Sequence, residues 1–173
     1  MGLDATAYGQ LVKIENPQLD EDGYFDGDGV QFYENTDFPG RMEGIEGKPA
    51  AYGCGEVLDC FSGGYGGYNS WREELAKMAG YPAAPVRRGE FFPVEQRHDH
   101  GAFIVGTGPF FELIYFTDCE GTIGPVVSAK LAKDFAEFQG AADAHPNPIF
   151  RTRYADWRAG FELAAQGGAV KFH

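Results

Sequence analysis

Glu56-Val57-Leu58-Asp59-Cys60-Phe61, running into Ser62-Gly63-Gly64-Tyr65-Gly66-Gly67-Tyr68-Asn69-Ser70-Trp71-Arg72, sets a strand, a glycine-rich connection and the start of a helix in one continuous stretch. Val57 and Leu58 fall on opposite faces of the first segment, as successive strand positions do. Ser70 and Glu73 have the S-x-x-E spacing of a capping box. The spacing predicts a helix from Ser70 to a stop at Gly80, with Trp71, Leu75 and Met78 on one face.

Upstream of this unit, Leu3 to Tyr8 alternates so that Leu3, Ala5 and Ala7 share a face, and Gln10 to Ile14 and Val30 to Tyr33 offer further short strands. Between them, Glu15 to Gly29 is acidic and irregular, and Asn35 to Lys48 is interrupted by Pro39, Gly40, Gly44 and Gly47. Downstream, Tyr81 to Gly101 is broken by prolines and carries Arg87, Arg88 and Arg97. Phe110 to Phe116 reads as the clearest strand, central in the sheet. Gly124-Pro125 opens a helix with Val127, Leu131, Phe135 and Phe138 at helical spacing. Asn147-Pro148 opens another, striped by Phe150, Tyr154, Trp157 and Phe161 and ended at Gly167-Gly168. Ala169 to Phe172 is expected as a last edge strand. The expected fold is α+β, a mainly antiparallel sheet with about three helices packed on it, in a single compact domain spanning residues 1–173.

The chain is 43% hydrophobic and 15% aromatic, enough for one ring-rich core. Its 26 acidic and 14 basic residues give a net charge of -12, which argues against binding a nucleic-acid backbone and fits a basic partner or DNA mimicry. Cys54, Cys60 and Cys119 form neither an even disulfide framework nor a CxxC pair, so a reducing cytoplasm is the expected compartment. No apolar run is long enough to span a bilayer. No cofactor is expected, and aromatic side chains left at the surface would allow a homodimer.

The glycine and tyrosine connection is the candidate ligand site. Glycines allow close backbone approach, and a helix start leaves N–H groups free for an anion. Tyr65 and Tyr68 can stack on a flat ring, Asn69 and Ser70 can hydrogen-bond, and Arg72 can meet a phosphate, with Trp71 beside them and Arg41 and Arg88 as further cations. The alternative is a turn whose tyrosines pack on the protein itself. The loop is neither GxGxxG nor a P-loop. Asp118 and Glu120 either cap a helix or accept hydrogen bonds from a ligand's hydroxyls or exocyclic amines. Cys119 at a helix start is disfavoured as a nucleophile by its flanking carboxylates. His98 and His100, in H-x-H spacing, would share one face of a strand and supply two metal ligands, short of a full set. The Asp20-to-Gly29 acids do not match the EF-hand spacing.

The opening Met1-Gly2-Leu3-Asp4, the central Gly67-Tyr68-Asn69-Ser70-Trp71-Arg72, and Phe111 to Gly124 with Phe161-Glu162-Leu163-Ala164-Ala165 resemble a family of small uncharacterised bacterial and tailed-phage proteins. The resemblance names no activity. It implies a phage or prophage accessory product, a class that often counters host defences by occluding a defence protein or capturing its nucleotide signal.

Three functions follow as expectations. The leading one is a binding protein that sequesters a small nucleotide-like ligand without turnover. The second is an acidic inhibitor that blocks a basic bacterial defence protein through the Glu15 to Glu46 surface. The third is a metal-dependent phosphoesterase built around His98 and His100.

Overall fold

The computed structural model describes residues 2–87, 89–118 and 120–173. In chain order the elements are β1 (Gly2–Gly9), β2 (Val12–Lys13), β3 (Tyr52–Gly53), β4 (Glu56–Gly64) and α1 (Tyr65–Met78). Next come β5 (Ala84–Arg87), β6 (Val94–Arg97), α2 (His98–Val105), α3 (Phe111–Tyr115) and β7 (Gly121–Ile123). The chain closes with α4 (Pro125–Glu137), α5 (Gln139–Asp143), α6 (Pro148–Ala164) and β8 (Ala169–Phe172). The principal sheet has four strands in the order β4-β1-β8-β7, every pair antiparallel, and β2 with β3 and β5 with β6 form two further two-stranded antiparallel sheets. This is one α+β domain, with six helices among the described residues where about three were expected.

The sheet has two unlike faces. Leu3, Ala5, Ala7, Ile123, Val170 and Phe172 are buried against the helices. Ala169, one residue out of phase with Val170, is instead buried with Val30 and Phe32 from the long irregular segment between β2 and β3 and with Tyr52 of β3. Helices therefore cover one face, and loop structure covers the other. On the helical side, α6 lays down Phe150, Tyr154, Trp157 and Phe161, each 2% exposed or less. Each such ring contributes roughly 1.5–3 kcal/mol by leaving water. Trp157 sits at the centre, its ring 5.7 Å from those of Trp71, Phe161 and Phe172. The α6 start is as its sequence predicts: Asn147 Oδ1 accepts from the N–H groups of Ile149 and Phe150, with Pro148 at the first helical position.

Four expectations are corrected. Phe110 to Phe116 is not a central strand; Phe110 takes a left-handed conformation at φ 56° and the next five residues form α3. Phe110, Leu113, Ile114 and Phe116 are the buried positions, while Tyr115 faces out, which is helical spacing. A short, continuous apolar run fits a buried helix as well as a buried strand. β8 is an interior strand, paired with β1 on one side and β7 on the other. Helix α1 begins at Tyr65, five residues before Ser70, so Ser62 to Gly64 belong to β4. The Ser70 hydroxyl donates back to the Gly66 carbonyl, and Glu73 instead caps α2, accepting from the N–H groups of His98 and Asp99. Val30 to Tyr33 makes only a single bridge, from Val30 to Tyr52.

Candidate functional site

The loop-covered face of the sheet holds a cavity of about 580 Å³. Its floor is the sheet: Lys171 of β8 and Tyr8 of β1 line it. Lys171 lies between Thr6 and Thr122 in the pairing register, on the same side of the strand as Ala169. The wall comes from the acidic segment, which presents Tyr24 and Phe25, and from Tyr33 and Lys48. Buried Gln31 holds that wall in place. Its Oε1 accepts from Phe25 N–H at 2.9 Å, and its Nε2 donates to the carbonyls of Gly23 (3.2 Å) and Pro49 (3.4 Å). Asp20 braces the turn above, one carboxylate oxygen accepting from the N–H groups of Asp22 and Tyr24. The acidic stretch is thus the scaffold for two rings of the cavity.

The electrostatics of the cavity run against those of the chain. Among the described residues neither Lys48 nor Lys171 makes an ion pair. Their ammonium groups lie over aromatic rings instead: Lys48 Nζ is 3.2 Å from the centre of the Tyr24 ring, and Lys171 Nζ is 5.9 Å from that of Tyr33. Burial, and after it the Lys48 charge, holds the Lys171 ammonium below the ordinary lysine pKa. Burial also raises the Tyr8 phenol, with Cys54 and Asp59 adding to the effect, so the hydroxyl keeps its proton as a donor. Glu120 supplies the one carboxylate among the described lining residues. Two cations, several phenol rings and one acceptor can receive an anionic group, a flat ring and a hydroxyl or amine.

A second concavity, of about 660 Å³, gathers Tyr65, Asn69, Ser70 and Arg72 with Arg97 and Asp99. Here the charges are largely matched. Arg97 holds Asp99 at 2.6 Å and approaches Glu73 at 3.8 Å. Arg72 is 3% exposed, donating to the Ile114 carbonyl and, at 2.5 Å, to Asn69 Oδ1, while its Nε has no partner among the described residues. Tyr68 and Trp71, expected to meet a ligand, are core residues. The Tyr68 ring is fully buried, its hydroxyl donating to the carbonyls of Phe116 (3.0 Å) and Leu113 (3.4 Å). Tyr68 and Arg72 together satisfy the Phe116 and Ile114 carbonyls at the end of α3.

The remaining sequence candidates are dispersed. Arg41 donates to the Glu112 carbonyl and lies over Phe111. Asp118 accepts from the Glu120 N–H. Arg88 and Cys119 lie outside the described residues. His98 and His100 stand on helix α2 and not on a strand, and positions two apart on a helix leave in different directions. His98 Nδ1 is engaged with the Tyr81 carbonyl at 2.6 Å. Among the described residues no cluster of three or more histidines, cysteines or carboxylates could hold a metal ion. Also among them, no helix is long and apolar enough to cross a membrane.

Sequence reasoning passed over Lys48, Lys171, Tyr24 and Tyr33. Two signals were present: Lys171 is a lone charge inside the short apolar strand Ala169–Phe172, and Tyr24-Phe25 is an aromatic pair set in an otherwise acidic loop. Comparison with known proteins adds no name: no family model, no curated protein and no solved structure matches the chain.

Proposed function

We propose that this chain is a binding protein for a small nucleotide-like ligand, an anion carrying a flat ring, held in the cavity between the sheet and the acidic segment. The observation that carries the reading is the placement of Lys48 and Lys171, without a carboxylate partner among the described residues, in one ring-lined cavity of a chain with net charge -12. An acidic protein has carboxylates to spare, so lysines left to aromatic faces are open to an anion. In this reading the lysines meet a phosphate, Tyr24 and Tyr33 flank the ring, and Glu120 accepts from a hydroxyl or exocyclic amine. The ligand is sequestered and released intact, in the cytoplasm of a bacterial host. Capture of a defence signal, the role the sequence resemblance implies, suits a protein of this kind.

Thermal unfolding with linear and cyclic nucleotides and ADP-ribose compounds tests the proposal. Ligand at about a hundred times its Kd adds roughly 2.7 kcal/mol of stability. A shift with one ligand class, and its recovery unchanged by chromatography, is the expected result. No shift with any of them, or recovery of a cleaved product, contradicts it. The second reading, an acidic inhibitor docking on a basic defence protein, draws on the exposure of Glu21, Asp22, Asp26 and Asp28 on one loop. It predicts a complex that salt dissociates and that neutralising those acids abolishes.

A further inference from the structure

Lys171 combines three features that no other described lysine has together. It projects from an interior strand, flanked across the sheet by Thr6 and Thr122. It lines a cavity of about 580 Å³ and, among the described residues, makes no ion pair. The second cation, Lys48, shares that cavity. Lys13 and Lys130, by contrast, are held by Glu46 and by Glu112 and Asp134. A half-buried lysine that shares a cavity with another cation is drawn toward the free amine, the form that attacks carbonyl carbon.

We propose that Lys171 is a reactive amine that captures small anionic aromatic aldehydes as an imine. The proposal rests on reading the cavity as an anion and ring site, and adds a covalent step to it. The Nζ lone pair of the neutral amine attacks the aldehyde carbon. The carbinolamine then loses water, made of the carbonyl oxygen and the two amine protons, and a C=N bond forms. No redox partner is needed, and hydrolysis reverses the step. Lys48 receives the ligand's anionic group and Tyr33 lies beside the ring. The direction of the Lys171 shift, downward through burial and the Lys48 charge, agrees with this geometry.

Pyridoxal phosphate is the probe, reduced with borohydride and mapped by peptide mass spectrometry on the full-length protein. The adduct is expected on Lys171, with far less on exposed Lys77 and Lys133. Lys171→Arg, which keeps the charge, should lose that adduct while retaining the wild-type thermal transition. Lys48→Ala should reduce it. Labelling spread over the surface lysines, or an unchanged yield in Lys171→Arg, overturns the proposal. If Lys171→Arg fails to fold, the adduct map of the wild-type protein decides instead: selective labelling of Lys171 supports the proposal, and labelling spread over the surface lysines overturns it. Selective labelling of Lys171 that AMP neither blocks nor slows would sustain the reactive amine and remove the nucleotide reading. AMP binding without a Lys171 adduct would do the reverse.

Discussion

Replacing Tyr68 with phenylalanine separates a structural role from a binding role in the glycine and tyrosine stretch. The ring is fully buried, and the substitution keeps it, so no cavity opens. What is lost is the hydroxyl, 3.0 Å from the Phe116 carbonyl and 3.4 Å from that of Leu113. The Leu113 carbonyl keeps the Phe116 N–H at 3.2 Å, so the loss falls mainly on the Phe116 carbonyl. One lost hydrogen bond and one buried acceptor left short cost about 1–3 kcal/mol. At this chain length each kcal/mol lowers Tm by roughly 2–4 °C. Urea and thermal unfolding followed by circular dichroism read the change, with nucleotide affinity measured on the same variant. A lower midpoint with affinity intact is expected. A variant as stable as wild type that no longer binds nucleotide would refute the assignment of Tyr68 to the core and return the ligand to α1.

Other consequences are as direct. A Cβ on Gly101 would lie 1.7 Å from the Pro82 carbonyl oxygen, so Gly101→Ala should push α2 from its seat and cost about 1–3 kcal/mol or more in urea unfolding; an unchanged midpoint would contradict that close approach. Burial opposes the charge of Asp99, yet the hydrogen bonds and charge of Arg97 prevail and hold its pKa below the ordinary carboxylate value. A depressed pKa contributes stability above the unfolded value, about 3.9, which is lost as pH falls through the folded one. Asp99→Asn should therefore be less stable at neutral pH and lose less stability between neutral pH and pH about 3; parallel pH profiles would show that the Arg97 pairing adds nothing. Burial pushes the Cys60 thiol up to about 12, whereas Cys54 is exposed. Iodoacetamide on the native protein should modify Cys54 and spare Cys60, and peptide mapping that finds Cys60 alkylated first would reverse that order.

The parts of the fold that were legible in the sequence are those decided locally. Asn147 caps α6 by a side chain two and three residues from its targets, and Pro125 opens α4 as Pro148 opens α6, with no side-chain cap at Gly124. The stripes of both helices are periodic, and Leu3, Ala5 and Ala7 alternate along β1. The parts that were not legible depend on distant chain. Ser70 and Glu73 have capping-box spacing, yet Glu73 serves α2, 25 residues away in sequence at His98. Phe110 to Phe116 is apolar enough for either structure, and the carbonyls freed by the helix are met by Tyr68 and Arg72. The candidate site was hidden for the same reason. Lys48 and Lys171 are separated by most of the chain, and only the pairing of β8 between β1 and β7 brings Lys171 under the loop layer. Arginine beside glycine and tyrosine is a local pattern, and it drew attention to a stretch whose rings are largely core.

Isothermal titration of AMP, ADP and ADP-ribose into wild type and Lys171→Ala, at low and high salt, tests the central claim most directly. Loss of one charged hydrogen bond is worth about 1.5–3 kcal/mol, roughly ten- to a hundredfold in Kd. The account predicts saturable binding that weakens with salt and falls by that factor in Lys171→Ala, while the variant's thermal transition stays close to wild type. Equal affinity in the two proteins, or no heat with any of the three ligands, would contradict it.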